Sequence, residues 1–321
     1  MSAPRAVILS NAGTRLTAAE KSFFREADPL GFILFKRNIE NRGQIRALVG
    51  EMRESVGRDC PVLIDQEGGR VQRMRAPEWG ACRAARDHGS VAEVRETTRA
   101  IARDLAEVGI DVNCAPVLDV LCPDTHDAIG DRAYSDDPQD VFEKGRAVCA
   151  ELLAAGITPV IKHMPGQGRS ALDSHYDLPV IEAAHDVLSH CDFLPFINIS
   201  RDALGAACWG MVSHIIYKAL DEDAPATISK AVINTIRAEI GFDGLLLSDD
   251  VSMGALNFLG TPADRVAKML ECGLDIGLYC AGHLTEMEEI AAIAPPMGAA
   301  AMERYERSRT AKAGIRGRPA A

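Results

Sequence analysis

The sequence predicts an α/β protein in which one (β/α)8 TIM-type barrel, with irregular units allowed, takes up most of the chain. Short apolar runs alternate with longer segments of helical period, which indicates parallel strands covered by helices. Seven or eight such units on about 300 residues fit a closed barrel better than an open doubly wound sheet. Because no linker rich in Pro, Gly or Ser interrupts the series, we expect the barrel to span residues 1–308.

The predicted strands are short runs in which aliphatic residues dominate. They are GFILF (31–35), PVLID (61–65), DVNCAPVLDV (111–120), ITPVIKH (157–163), CWGMVSH (208–214), GLLLSD (244–249) and LDIGLY (274–279). Residues 284–305 are expected to supply a further helix and a weakly marked last strand.

The predicted helices carry apolar residues three and four positions apart and end near a glycine. They are IRALVGEMRESV (45–56), RETTRAIARDLAEVG (95–109), KAVINTIRAEIG (230–241) and ADRVAKMLECG (263–273). The chain ends in ERSRTAKAGIRGRPAA, which is basic and polar. We therefore expect residues 309–321 to form a loose C-terminal tail.

Charge and composition exclude several classes of partner. A net charge of −11 and a pI near 5.3 argue against general binding to nucleic acid or to an anionic membrane. No apolar run is long enough to span a bilayer, and the first residues lack a secretory signal, so a cytoplasmic protein is expected. We also expect a monomer. The nine cysteines are scattered without a C-x-x-C pair, which favours reduced, mostly buried thiols.

Polar residues cluster where the predicted strands end. Asp65, Asp119, Lys162-His163, His214 and Ser248-Asp249-Asp250 all follow or close an apolar strand. Because the carboxyl ends of barrel strands meet on one face, where the active sites of such enzymes lie, these residues predict a shared pocket.

The stretch VIKHMPGQGRSALDSHYDLP (160–179) admits several interpretations. GQGRSA matches a dinucleotide fingerprint, but Pro165 and Pro179 leave little room for the helix that this fingerprint requires. A metal held by His163, Asp173 and His175 is disfavoured, because the spacing is loose and no companion motif is present. The remaining alternatives are a dyad, in which Asp173 orients His175 for proton transfer, and an ordinary surface loop.

Two further motifs carry carboxylates. In LLLSDD (245–250), one aspartate at the strand end is a candidate nucleophile, whereas Asp250 is expected to cap the next helix. In DQEGGRVQR (65–73), the acid and the arginines are typical of a site for sugar hydroxyls, with a structural salt-bridge turn as the alternative.

Taken together, the motifs resemble those of bacterial glycoside hydrolase family 3 β-N-acetylglucosaminidases of the single-domain type. The resemblance rests on ILFKRNIENRGQIRAL, LIDQEGGRVQRMR, CAPVLDV, IGDRAYSDDP, KHMPGQG, DSHYDLP and SDDVSMGAL, in that order. It implies that His175 is the acid/base, assisted by Asp173, and that Asp249 is the nucleophile. It also implies that the sugar is bound by Asp65, Arg73, Arg132, Lys162 and His163.

The implied activity is retaining hydrolysis of terminal β-linked N-acetylglucosamine from peptidoglycan (anhydro-muropeptide) fragments, with no cofactor and no metal. The segment from Met164 to Pro179 is expected to be a movable loop that brings His175 to the scissile oxygen. Two alternatives stay open, a phosphorylase and a non-catalytic sugar-binding barrel. One departure from the family pattern is Gln167, where the family usually has histidine in KH-x-PG-H-G.

Overall fold

The computed structural model describes residues 3–317 and contains a closed barrel of eight parallel strands. Each strand pairs with the strands before and after it in the chain, and the first pairs with the last. The strands are β1 (Arg5–Leu9), β2 (Pro29–Leu34), β3 (Val62–Ile64), β4 (Val112–Asn113), β5 (Thr158–Met164), β6 (Trp209–Val212), β7 (Leu246–Asp250) and β8 (Ile276–Leu278). The predicted (β/α)8 fold is confirmed.

Helices follow every strand and cover the outside of the barrel. They are α1 (Ala18–Ala27), α2 (Arg42–Val56), α3 (Val91–Val108), α4 (Pro138–Ala154), α5 (His185–His190), α6 (Leu194–Arg201), α7 (Lys230–Ala238), α8 (Pro262–Cys272), α9 (Leu284–Ile293) and α10 (Ala299–Ile315). Hydrogen-bonding caps explain several starts, since Asn41, Ser90 and Thr261 each accept from a backbone N–H in the first turn. Within residues 3–317, none of the helices has both the length and the apolar character that crossing a bilayer requires.

The eighth strand is not where the sequence analysis placed it. Residues 284–305 form α9 and the first part of α10, with only an isolated bridge between Arg5 and Pro296. The barrel is instead completed by β1 at the N-terminus, which pairs with both β2 and β8. The strand predicted over 111–120 is also shorter than expected, because Pro116 has no N–H to continue the ladder.

The predicted loose tail begins too early. Helix α10 continues through residues 309–315 and ends at Ile315, so this part of the predicted tail is helical. The rest of the tail from 318 to 321 lies outside the described residues.

The barrel has two apolar layers, and both leave its top free for polar groups. One layer fills the interior with side chains such as Ile8, Val160 and Leu247, and the other lies between strands and helices. Tyr305 of α10 packs into the interior layer from below, and the Trp209 indole donates to Ser308 over 2.9 Å. Helix α10 thus covers the interior layer at the amino-terminal end of the strands, and the polar residues at the strand ends lie at the opposite, carboxyl end.

Candidate active site

The carboxyl ends of the strands surround a cavity of about 280 Å³. All eight residues singled out as catalytic or sugar-binding line it: Asp65, Arg73, Arg132, Lys162, His163, Asp173, His175 and Asp249. They come from strand ends and from the loops that follow, as expected for a barrel whose strand ends meet on one face.

Lys162 lies at the centre of a buried charge network. It continues the inward face of β5 two residues after Val160, and its side chain is 2% exposed. The ammonium lies 2.8 Å from Asp65 Oδ1 and 2.7 Å from Glu67 Oε1. Arg132 adds two bonds of 2.9 Å to Glu67, and Arg73 lies 3.2 Å from Asp65.

These contacts keep the network ionised. Burial alone would raise the pKa of Glu67, but Arg132 and Lys162 outweigh it and lower that pKa to about 2. Burial is likewise outweighed at Asp65, where Lys162 and Arg73 lower the pKa. For Lys162 the two carboxylates overcome burial and raise the pKa. The cavity wall therefore presents fixed charges at every ordinary pH.

His163 is held by a buried carboxylate. Its Nδ1 lies 2.7 Å from Asp119 Oδ2, and its backbone N–H donates to Asp119 Oδ1 over 3.1 Å. Asp119 is completely buried and also accepts from the backbone N–H of Gln167 over 2.7 Å. Because the carboxylate accepts from Nδ1–H, the Nε2 of His163 is left as an acceptor. This Nε2 lies 3.4 Å from Arg132 Nη2.

The two aspartates at the end of β7 have pKa values shifted in opposite directions. Burial would raise the pKa of Asp249, but His163 and His214 outweigh it and lower that pKa. At Asp250, burial dominates and raises the pKa. Asp250 accepts from the backbone N–H groups of Ser252 and Cys280, over 3.0 and 3.1 Å, so it fixes the turn after β7 instead of capping a helix.

His214 supports this strand end from the side. Its Nδ1 pairs with Thr227 Oγ1 at 2.9 Å and its Nε2 with the carbonyl oxygen of Asp250 at 3.0 Å. Burial lowers the pKa of this imidazole, although Asp249 partly opposes the effect. His214 thus holds the backbone that presents Asp249.

The loop from Met164 to Pro179 lies across the cavity. His175 Nδ1 is 2.7 Å from Asp173 Oδ1, which also accepts the backbone N–H of His175 over 3.0 Å. The carbonyl oxygen of His175 accepts from Gly254 N over 2.9 Å. A Cβ at Gly254 would lie 2.7 Å from this oxygen, so the close contact between loop and barrel requires glycine there. In this position His175 and Asp249 face the same cavity.

Some alternatives from the sequence analysis can be compared with these contacts. Within residues 3–317, His163, Asp173 and His175 do not form a group that could hold a metal. Arg70 lines the cavity, but its guanidinium pairs with Asp131 at 2.7 Å and donates to the carbonyl oxygen of Ala128. For Arg70, the salt-bridge turn is the better interpretation.

Three polar residues with close contacts to the site were absent from the predicted set. Asp119 and His214 were visible as strand-end residues, and Glu67 lies inside the DQEGGR motif. Their partners lie far away in the sequence, however, as for Asp119 with His163 and Glu67 with Arg132. A strand-end position was the signal available for them.

Known proteins similar in sequence to this chain are glycoside hydrolases, in agreement with the geometry of the cavity. The model of the glycosyl hydrolase family 3 N-terminal domain matches residues 9–310. A beta-hexosaminidase of Xanthomonas campestris pv. campestris (strain B100) is 34% identical over 299 residues, covering 90% of this chain and 88% of that protein. One from Pseudomonas aeruginosa (strain LESB58) is 35% identical over 280 residues, covering 85% of this chain and 82% of that protein.

Solved structures give the same result. NagZ from Neisseria gonorrhoeae, in complex with N-trifluoroacetyl-D-glucosamine, superposes with a TM-score of 0.85 at 28% identity, covering 98% of this chain and 94% of that one. LpqI from M tuberculosis superposes with a TM-score of 0.77 at 29% identity, with the same coverage. The chain belongs to glycosyl hydrolase family 3.

Proposed function

We propose that this family 3 hydrolase is a retaining β-N-acetylhexosaminidase that removes terminal β-linked N-acetylglucosamine through a covalent glycosyl-enzyme. The observation that carries the proposal is the placement of Asp249 and the Asp173–His175 pair on one cavity, beside a wall of fixed charges. An ionised acid at a rigid strand end is suited to attack, and an imidazole on a loop is suited to proton transfer.

In the first step, Asp249 attacks the anomeric carbon of the sugar while the bond from that carbon to the leaving oxygen breaks. His175 donates its Nε2 proton to the leaving oxygen, so the aglycone departs as a neutral alcohol. The lowered pKa of Asp249 supports this assignment, because a nucleophile must be ionised before it attacks. The raised pKa of Asp250 makes it the weaker candidate.

In the second step, the neutral imidazole of His175 takes a proton from water as the water oxygen attacks the anomeric carbon. The ester to Asp249 breaks, the carboxylate is regenerated, and the sugar leaves with its original β configuration. Asp173 keeps Nδ1 protonated throughout and stabilises the imidazolium form.

The charge network would bind the sugar hydroxyls. Asp65 and Lys162 combine an acceptor and a donor whose charges stay fixed, as chelation of neighbouring hydroxyls requires. The Nε–H of Arg73 is a buried donor without a partner in the described part of the chain, and Arg73 lines the cavity. A buried donor of this kind favours a ligand that supplies an oxygen.

The natural substrate is proposed to be a fragment of peptidoglycan, an anhydro-muropeptide with terminal N-acetylglucosamine. The enzyme is proposed to act on it as a monomer in the cytoplasm. The family membership and the curated relatives named beta-hexosaminidase support the sugar class. The N. gonorrhoeae relative forms a complex with N-trifluoroacetyl-D-glucosamine, and this N-acylated glucosamine is consistent with the same sugar class.

The test is turnover of a chromogenic N-acetyl-β-glucosaminide against the matching β-glucoside. We expect clear release from the first and little from the second. EDTA should leave the rate unchanged, whereas a loss that zinc restores would indicate a metal at His163, Asp173 and His175. Absence of turnover with intact sugar binding would favour a non-catalytic sugar-binding barrel.

Phosphorolysis is the second candidate, and it is favoured by the exposure of His175, which leaves room for a phosphate anion beside the imidazole. The His175 side chain is 61% exposed, and once it has given up its proton it is neutral, so it does not repel a phosphate anion as a carboxylate would. Identification of the product with and without inorganic phosphate separates the two reactions. Free sugar indicates hydrolysis, and a sugar 1-phosphate indicates phosphorolysis.

A further inference from the structure

We infer that Gln167 is a positioning residue for the proton donor, and this inference rests on the proposed function. Gln167 is 4% exposed and lies four residues after His163 in the loop that carries His175. Its side-chain Nε2 donates to Ser174 Oγ over 3.3 Å, and Ser174 is the residue between Asp173 and His175. The side chain of Gln167 thus contacts the far end of its own loop.

The backbone of Gln167 makes a separate bond. Its N–H donates to Asp119 Oδ1 over 2.7 Å, and Asp119 holds the ring of His163. The hydrogen bonds therefore run without interruption from His163 through Asp119 and Gln167 to Ser174. This path connects the residue proposed to bind the sugar with the segment proposed to protonate the leaving oxygen.

Ser174 is held from two sides. Its hydroxyl accepts from Gln167, and its carbonyl oxygen accepts from Ala255 N over 3.3 Å. Ser174 itself is 3% exposed, whereas the side chain of His175 is 61% exposed. Because packing restrains the exposed imidazole little, its position depends on its bonds to Asp173 and Gly254 and on the buried residue before it.

The amide has one property that matters for an acid/base site. It stays neutral at every pH, so its bond to Ser174 does not change while His175 exchanges its proton. An imidazole at position 167 could donate the same bond, but it would also titrate between about pH 5 and 8. The identity of residue 167 should therefore appear in the pH profile of the reaction.

The test compares Gln167→Met with the wild type on two N-acetyl-β-glucosaminides, one with an activated aryl leaving group and one with a poor leaving group. Methionine keeps the length of the side chain but cannot donate, and the backbone bond to Asp119 stays. We expect kcat for the poor leaving group to fall roughly fivefold to tenfold, since one hydrogen bond contributes about 1 kcal/mol. KM and the rate with the activated group should change less than about twofold.

Four further variants make the test specific. Ser174→Ala should reproduce the effect, and the double variant should be no worse than either single one, because both changes remove the same bond. Gln167→His should restore activity on the poor leaving group, with an added pH dependence. The control is Ser170→Ala, which removes a 2.7 Å bond to the carbonyl oxygen of Leu172 in the same loop and should not affect leaving-group selectivity.

An equal loss with both leaving groups, or additive effects in the double variant, would overturn the role of Gln167. If His175→Ala selectively impairs the poor leaving group while Gln167→Met does not, only this inference fails. If the wild type turns over neither substrate, the proposed function fails first, and the inference falls with it.

Discussion

Two histidines that line the same cavity, His163 and His175, each pair with an aspartate through the same contact but in different surroundings. In both, a ring Nδ1 lies 2.7 Å from a carboxylate oxygen. His163 and Asp119 have side-chain exposures of 5% and 0%, whereas His175 and Asp173 have 61% and 22%. His163 is part of β5, and His175 is on the loop that follows.

The difference in surroundings separates two functions that one contact can serve. On β5, the backbone and a buried carboxylate fix His163, which suits a group that binds substrate in a single geometry. On the loop, the same contact fixes the tautomer of His175 but leaves its Nε2 open to substrate and water, as proton transfer requires. The predictions below test whether the two pairs differ in this way.

The largest effect is expected at Asp249, because it belongs to the rigid side of the site. Asp249→Asn should lower turnover by about 10⁴-fold or more, since an amide cannot form the glycosyl ester. The fold should be retained, as judged by circular dichroism and thermal unfolding. Labelling with a 2-fluoro or 5-fluoro glycosyl donor, followed by peptide mass spectrometry, identifies the residue that forms the ester.

Asp250→Asn is the matched control for this prediction. Its contacts to Ser252 and Cys280 fix a turn, so its loss should affect stability more than chemistry. A label found on Asp250 or Glu67 would contradict the assignment of Asp249.

The second prediction sets the two histidines directly against each other. His175→Ala should slow a substrate with a poor leaving group by about 10²-fold to 10⁴-fold and an activated aryl glycoside much less, because the latter needs little protonation. His163→Ala should lower kcat/KM for both substrates by a similar factor, since it removes a contact that binds the sugar. The measurement is kcat/KM across a series of aryl leaving groups.

The slopes of the two series decide the outcome. A flat dependence on leaving-group acidity in His175→Ala would count against His175 as the proton donor. A steep dependence in His163→Ala would mean that the buried pair takes part in proton transfer. The assignment of different functions to the two pairs would then be wrong.

The barrel and the pocket could be predicted from the sequence because both depend on local patterns. A run such as GLLLSD shows an apolar strand and the polar residues at its end within a few positions. β1 was missed for the opposite reason. RAVIL is a short run near the terminus, and its two neighbours in the barrel, β2 and β8, include the last strand of the chain. Only closure of the barrel makes it a strand.

The contacts within the site could not be predicted in the same way. Glu67 was visible beside Asp65, but its role depends on Arg132 and Lys162, which approach it only in the folded barrel. The position of the loop was also beyond the sequence, because it depends on the fit of His175 against Gly254. Its predicted mobility stays a prediction.

A smaller effect on activity is expected at Lys162, which holds the fixed side of the site together. Lys162→Met should lower kcat/KM by about 10-fold to 100-fold, mainly through KM, because the sugar loses a charged donor. It should also lower the free energy of unfolding by about 3–5 kcal/mol, since Asp65 and Glu67 lose a buried counter-ion. Steady-state kinetics and urea denaturation measure both.

Lys144→Met is the control for Lys162. Lys144 also forms a 2.8 Å ion pair, with Asp140, and is nearly buried, but it lies on α4 outside the cavity. It should cost little activity. Equal losses of activity in the two variants would show that the effect at Lys162 is general destabilisation.

The smallest effect is expected at Asp192, below the loop, and concerns how the stability of the protein depends on pH. Its side chain is completely buried, Oδ2 pairs with Arg169 Nε at 2.7 Å, and Oδ1 has no partner in the described part of the chain. Burial raises the pKa of Asp192 from 3.8 to about 6, although Arg169 opposes the shift. The folded state therefore binds the proton more tightly than the unfolded state, and stability should fall as pH rises from about 4 to 6, by up to about 3 kcal/mol.

Asp192→Asn removes this titration while keeping an acceptor for Arg169. We expect the free energy of unfolding, measured by urea denaturation at pH 4.5, 5.5, 6.5 and 7.5, to depend less on pH than in the wild type. The control is Asp202→Asn, where a carboxylate also lies 2.7 Å from an arginine Nε but is 15% exposed, and the slope should stay as in the wild type. Arg169 belongs to the loop of His175, and it attracts the ionised form of Asp192 more strongly than the protonated form, so the fall in stability reflects the cost of burying the charge and not a weaker contact to the loop. An unchanged slope in Asp192→Asn would show that the carboxylate under the loop does not titrate in this range.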